Sequence, residues 1–230
     1  MRTPKYLYAS DFKAYRSDLE SNVPFVARSF DKGDRIWRLG ENIERVYYID
    51  SGVLKTSLVH ENGYVKTLYF AGAGSIYPGC HETQFSIEQS LTSEAVTKVE
   101  ALEFRREAFY EYAKRHAALM SSLLELYAAW INLHIYESAH QEYNSAFQKL
   151  CNLICLLCMG GGYAQERIEL TQQDLADILS LERENVSRFL SRLRKEGVVD
   201  THRGWFEVLD LDALLGYCSL ETIGDSASNR

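Results

Sequence analysis

Between about residues 25 and 104, short apolar runs alternate with Gly, Asn and Asp breaks, spaced roughly 8 to 12 residues apart as in a small β-sandwich or barrel. The clearest strands are Val46-Tyr47-Tyr48-Ile49, residues 53–59 and residues 65–70. The last two are joined through Glu61-Asn62-Gly63, and an Asn-Gly pair there predicts a hairpin turn with φ > 0 at both central residues. From residue 106 to about 142 the period lengthens. Leu119, Leu126, Leu133 and His140 recur every seven residues, interleaved with Leu123, Trp130 and Glu137. This predicts a helix of about 30 residues whose apolar stripe pairs with a second copy of itself.

Residues 146–159 read as a buried helix stopped by Gly160-Gly161-Gly162, and residues 168–170 as a short strand. Thr171 then opens a helix as N-cap, with Asp174 three residues on, close to a capping box. Residues 171–179 form one short helix, 180–183 a turn and 184–195 a second helix. Leu175, Ile178, Leu181, Val186, Leu190 and Leu193 supply the apolar face, and Ala176 the small residue where the helices cross, which is the helix-turn-helix pattern. Residues 198–202 and 205–209, joined by Arg203-Gly204, read as a β-hairpin wing.

The opposite face of the second helix collects Arg183, Glu184, Ser187, Arg188 and Arg192 at about one-turn spacing. Arginine donates two hydrogen bonds to guanine O6 and N7, and glutamate accepts from cytosine N4, so this face suits base edges. Thr171 and Gln172 join it as DNA-binding candidates, and Arg194 and Lys195 are placed for phosphates. The formal net charge of −7 disfavours non-specific coating of nucleic acid but leaves room for a local basic stripe. Five cysteines, three of them crowded into one apolar segment, imply a reducing compartment rather than a disulfide framework. With no apolar leader-like segment near residue 1 and no run of about 18 apolar residues, the expectation is a soluble, cytoplasmic protein without membrane contact.

These motifs resemble the family of the cyclic-AMP receptor protein and the fumarate and nitrate reduction regulator (CRP/FNR). The resemblance covers about residues 25–210. It rests on Lys32-Gly33-Asp34 with Gly40-Glu41, Val46-Tyr47-Tyr48-Ile49-Asp50-Ser51-Gly52, the roll end from Gly72 to Gly74, and the long helix. It rests further on Leu170-Thr171-Gln172-Gln173-Asp174-Leu175-Ala176, leading to Arg183-Glu184-Asn185-Val186-Ser187-Arg188. It implies an α+β chain: a cyclic-nucleotide-binding-like β-roll (jelly roll) over 1–105, a dimerisation helix over 106–142, and a winged helix-turn-helix over 143–230. It also implies a homodimer on an inverted repeat, with half-sites roughly 34 Å apart. Glu184, Ser187 and Arg188 match the family's base-reading positions and Arg183 its extra arginine, for a half-site containing TGA or TTGA. The Gly160–Gly162 region is a candidate surface for RNA polymerase.

The effector is narrowed by exclusion. The cyclic-AMP branch holds phosphate with an arginine after a Gly-Glu step; here the step reads Tyr77-Pro78-Gly79-Cys80-His81-Glu82, and no arginine lies between Arg45 and Arg105. A buried cyclic phosphate without a guanidinium is a poorly paired charge. The iron-sulfur branch needs an N-terminal cysteine cluster, whereas the first cysteine is Cys80. A haem-based gas or redox sensor using Cys80 and His81 stands as the alternative. A cupin-like enzyme is disfavoured, because His60, His81 and His134 never reach metal-binding spacing. Cys151, Cys155 and Cys158 mimic a radical-enzyme cluster string, but their spacing puts them on one apolar helix face, as core. The strongest remaining likeness is to the family's halorespiration regulators, which bind halogenated phenolic acids between roll and long helix. Tyr69, Tyr77, Tyr127 and Trp130 offer the aromatic wall, with Gly79, Cys80 and His81 at the roll cassette and Lys55, Lys66, Lys98 or His81 facing the anion. No catalytic residue, metal or cofactor is expected.

Overall fold

The computed structural model describes residues 11–38, 40–41, 43–78, 90–161 and 167–223. The chain forms two compact units, divided between Leu133 and His134.

In the first unit, α1 (Arg16–Asn22) precedes eight strands among the described residues: β1 (Phe25–Phe30), β2 (Arg35–Trp37), β3 (Arg45–Ser51), β4 (Leu54–Val59), β5 (Val65–Ala71), β6 (Ile76–Tyr77), β7 (Leu91–Ala95) and β8 (Val99–Arg105). They make two four-stranded antiparallel sheets, ordered β1-β8-β3-β6 and β2-β7-β4-β5. This interleaving of sequential strands between two sheets is a jelly roll. The run Val46-Tyr47-Tyr48-Ile49 is apolar throughout because β3 is covered on both faces. Tyr47 and Ile49 pack into the space between the sheets with Trp37, Leu54, Tyr77 and Ala101, while Val46 and Tyr48 pack with helical residues including Leu19, Phe109 and Leu119.

Gly52 turns the chain between β3 and β4 at φ 88°, and a Cβ there would stand 2.1 Å from the Lys98 carbonyl oxygen. No side chain fits that turn. The β4–β5 hairpin departs from expectation. Of Asn62 and Gly63, Gly63 alone has positive φ, and the loop closes through Gly63 N donating to His60 O and His60 N donating to Tyr64 O, each at 2.8 Å. The last strand pair is Val59–Val65, so five residues bridge the strands. A loop of that length needs one left-handed residue, where a two-residue turn needs two.

The expected single helix from residue 106 is two: α2 (Arg106–Lys114) and α3 (Ala117–Tyr143). At the break, Arg115 and His116 donate to carbonyls three residues back, and the His116 ring stacks on Tyr112 at 3.8 Å. Part of the stripe expected to pair between copies is core within one chain. Leu119, Leu123 and Leu126 are buried in the roll-side core with Trp130 against them. Among the exposed large apolar residues of α3 are Leu124 (64%), Ile131 (59%) and Ile135 (63%). They lie seven and four residues apart, on one face.

In the second unit, α4 (Ala146–Gly161) runs through Gly160 rather than stopping before it. Cys151, Cys155 and Cys158 are buried along it beside Leu150 and Ile154, as core. Burial pushes the Cys151 thiol up to about 12, because the thiolate loses its water. Then follow α5 (Gln172–Leu179), α6 (Arg183–Lys195), β9 (Val199–His202), β10 (Trp205–Val208), α7 (Leu211–Leu215) and α8 (Leu220–Ile223). The expected strand at 168–170 is a single bridge, Ile168 to Phe206. Among the described residues, no helix is long and apolar enough to cross a membrane.

Candidate nucleic-acid interface

The helix-turn-helix is fixed locally at three points. Thr171 caps α5 by accepting from Asp174 N at 3.1 Å, while the Asp174 carboxylate accepts from Thr171 N at 2.9 Å, a complete capping box. Ser180 ends α5 in the left-handed conformation at φ 53°, and Leu181 N donates to Ala176 O at 3.0 Å. α6 then starts from Glu182, which makes no side-chain cap bond. Leu175, Ala176, Ile178 and Leu179 of α5 and Val186, Leu190 and Leu193 of α6 are buried, so the polar face of α6 turns outward.

On that face Arg183, Glu184 and Arg188 are exposed and Ser187 half-buried. Arg188 donates to Asn185 Oδ1 at 2.8 Å, which braces its guanidinium one turn along the helix. Arg192 shares the spacing but has other partners. Its Nε donates to Glu196 Oε1 at 3.0 Å, its guanidinium lies over the Phe147 ring at 4.2 Å, and Glu196 also accepts from Tyr217 OH at 2.8 Å. These partners hold Arg192 against its own unit. The Arg192 and Tyr217 bonds set the Glu196 carboxyl below the usual carboxylate range.

Thr171, Gln172 and Arg183 come together with Thr201, His202 and Arg203 around a cleft of about 280 Å³. The N-terminal end of α5, where the helix dipole is positive, lines this cleft together with Arg183 and Arg203, a combination suited to phosphate. The sequence reading missed the wing's own order. His202 stacks on Trp205 at 3.8 Å and 15°, and the Arg167 guanidinium lies over that indole at 4.4 Å. The signal was the antiparallel register pairing His202 with Trp205.

In the roll, Tyr77 is 1% exposed. It stacks on Trp37 at 5.0 Å, donates to Ser93 Oγ at 2.7 Å and shares a hydrogen bond with Thr56. Burial raises its phenol well above the ordinary range. Tyr69 meets Tyr77 edge-on at 5.9 Å and stacks on Trp130 at 5.1 Å, and Trp130 meets Tyr127 edge-on at 5.5 Å. The four rings thus form a column from roll interior to α3. Among the described residues, the buried Trp130 Nε1 has no hydrogen-bond acceptor. Lys98 is paired with Glu100 at 2.9 Å. Gly79, Cys80 and His81 lie outside the described residues.

Residues 27–116 match the family model described as cyclic nucleotide-binding domain, and residues 148–217 that described as Crp-like helix-turn-helix domain. The cyclic AMP receptor protein of Thermus thermophilus is 27% identical over 185 residues, covering 80% of this chain and 84% of the relative. The global nitrogen regulator of Synechocystis sp. is 26% identical over 200 residues, covering 83% and 86%. Among solved structures, a CooA mutant from Carboxydothermus hydrogenoformans gives a TM-score of 0.77 at 17% identity, covering 94% of this chain and 99% of that one. OCPA-complexed CprK gives 0.73 at 19%, covering 90% and 94%. At such identities the structural likeness is one of fold.

Proposed function

The chain belongs to the CRP/FNR family of DNA-binding transcription regulators with an effector-binding domain, and from that premise we propose that its effector is a small aromatic acid held between roll and α3. One observation carries this reading: the column Tyr77–Tyr69–Trp130–Tyr127, in which the buried Trp130 indole N–H has no acceptor among the described residues. A buried donor without a partner costs about 1–3 kcal/mol, and a carboxylate or phenolate oxygen satisfies it while an aromatic ring extends the stack. The absence of arginine between Arg45 and Arg105 fits a compact single charge better than a cyclic phosphate. The resemblance to the halorespiration regulators, and the fold likeness to a CprK complexed with OCPA, point the same way.

In this reading the effector biases how two copies of α3 pair, and that pairing sets the separation of the two recognition helices on an inverted repeat. Arg183, Glu184, Ser187 and Arg188 read bases, Thr171 and Gln172 hold phosphate at the cleft, and Arg192 braces α6. RNA polymerase contact is assigned to the Gly160–Gly162 region. The test is a thermal-shift screen of halogenated and hydroxylated aromatic acids on the full chain and on Trp130→Leu. A hit should raise the melting temperature of the wild type by several degrees, leave Trp130→Leu unmoved, and change affinity for DNA. If no aromatic acid stabilises the wild type, the ligand class is wrong.

A further inference from the structure

The β9–β10 hairpin carries a set of three donor side chains outside the proposed base-reading residues. Asp200 and His202 alternate along β9, so both project from one face, and Glu207 stands directly opposite Asp200 on that same face. One ligand atom from each lies within 4.8 Å of the other two. His202 Nε2 is 3.4 Å from Asp200 Oδ2 and 3.9 Å from Glu207 Oε1. Ligands bound at about 2.1 Å to a tetrahedral ion stand about 3.4 Å apart. The first separation already matches, and a small rotation of the Glu207 carboxylate closes the second.

Two further features set this group apart from a solvated cluster of acids. Asp200 and Glu207 form a direct cross-strand pair of like charges, an arrangement that costs stability. Among the described residues no lysine or arginine lies within 4.0 Å of either carboxylate; His202 is the cation-capable neighbour of both. The imidazole is also held in place beforehand, flat against Trp205, with Nε2 turned to the carboxylates. A ring fixed before the ion arrives loses little freedom on binding it.

We propose that Asp200, His202 and Glu207 bind one divalent first-row transition ion of the zinc type on the wing. One imidazole and two carboxylates suit Zn²⁺ or Mn²⁺ and offer nothing to a thiolate-seeking ion such as Cu⁺. Water completes the coordination, and the ion offsets the repulsion between the paired carboxylates. His202 also lines the cleft at Arg183, so a bound ion adds positive charge there. That last consequence rests on the DNA reading, whereas metal binding does not.

The experiment is calorimetric titration of chelator-treated, full-length protein with ZnCl₂, in parallel with Asp200→Asn, Glu207→Gln and Cys218→Ser. Both carboxylate variants are near-isosteric and are checked by circular dichroism in metal-free buffer. The proposal expects one Zn²⁺ equivalent in the wild type and in Cys218→Ser, weakened at least tenfold in Asp200→Asn and Glu207→Gln. It also expects a Zn²⁺-dependent rise in melting temperature that those two variants lose. Equal Zn²⁺ binding by all four proteins, loss confined to Cys218→Ser, or no binding by the wild type would overturn it. DNA plays no part in this readout, so its outcome is independent of the recognition-helix assignment.

Discussion

Glu184 and Arg192 sit two turns apart on the same helix and differ in what surrounds them. Glu184 is exposed with no hydrogen-bond or ion-pair partner among the described residues, whereas Arg192 is held by Glu196 and Phe147. Removing a base-reading contact forfeits about 1–3 kcal/mol of discrimination. Glu184→Ala should therefore relax the selected consensus at one base pair and weaken the preferred site roughly 10- to 100-fold, as read by site selection and binding titration. An unchanged consensus and affinity would remove Glu184 from the reading face. Tyr136 makes a second prediction. Burial, above all, pushes its phenol up to about 12, while its hydroxyl shares a 2.8 Å hydrogen bond with Thr222. A folded-state value raised above the ordinary 10 means that the stabilisation is complete below pH 10 and is lost as pH climbs towards 12. Denaturant unfolding of the wild type should weaken over that window more steeply than that of Tyr136→Phe. Parallel curves would show that Tyr136 contributes nothing to the alkaline loss.

Among the elements, α3 has two apolar stripes in different surroundings. Leu119, Leu123 and Leu126 are core, while Leu124, Ile131 and Ile135 face solvent. A row of large aliphatic residues on an exposed helix face marks a surface meant to be covered, and a family of homodimers supplies the second copy. Ile131→Asp should convert the protein to a monomer in sedimentation velocity while leaving its melting behaviour close to that of a monomeric wild type at high dilution. Leu119→Ala should instead destabilise by about 2–5 kcal/mol through a cavity. Should Ile131→Asp remain fully dimeric, the exposed stripe is not the seam.

For the chain as a unit of regulation, α3 is the element both compact units share, since the division falls within it. An effector at Trp130 therefore acts on the same helix that carries Ile131 and Ile135. It shifts the DNA-binding population only by its differential affinity for the two arrangements, and a swing from 1:99 to 99:1 requires about 10⁴-fold. One new buried hydrogen bond and a stacked ring supply part of that, so a graded response is expected of a weak effector.

Much of this architecture could be read along the chain. The change of period near residue 105, the Thr171–Asp174 cap, the buried face of the helix-turn-helix and the arginine-free roll depend on order and spacing over a few residues, where local chemistry acts. What surrounds each side chain depended on residues distant in the chain. A heptad pattern shows that a helix has apolar stripes but not which neighbour covers each, so Leu119, expected in the pairing stripe, is core, while Ile131, outside that stripe, is exposed. Spacing placed Arg192 on the reading face, but did not show the contacts with Glu196 and Phe147 that it also makes. Asn62 kept an ordinary φ because a five-residue loop left only Gly63 to be left-handed. Asp200, His202 and Glu207 became one donor set only through the register of two strands, since a pairing across a hairpin brings together groups that lie apart in the chain.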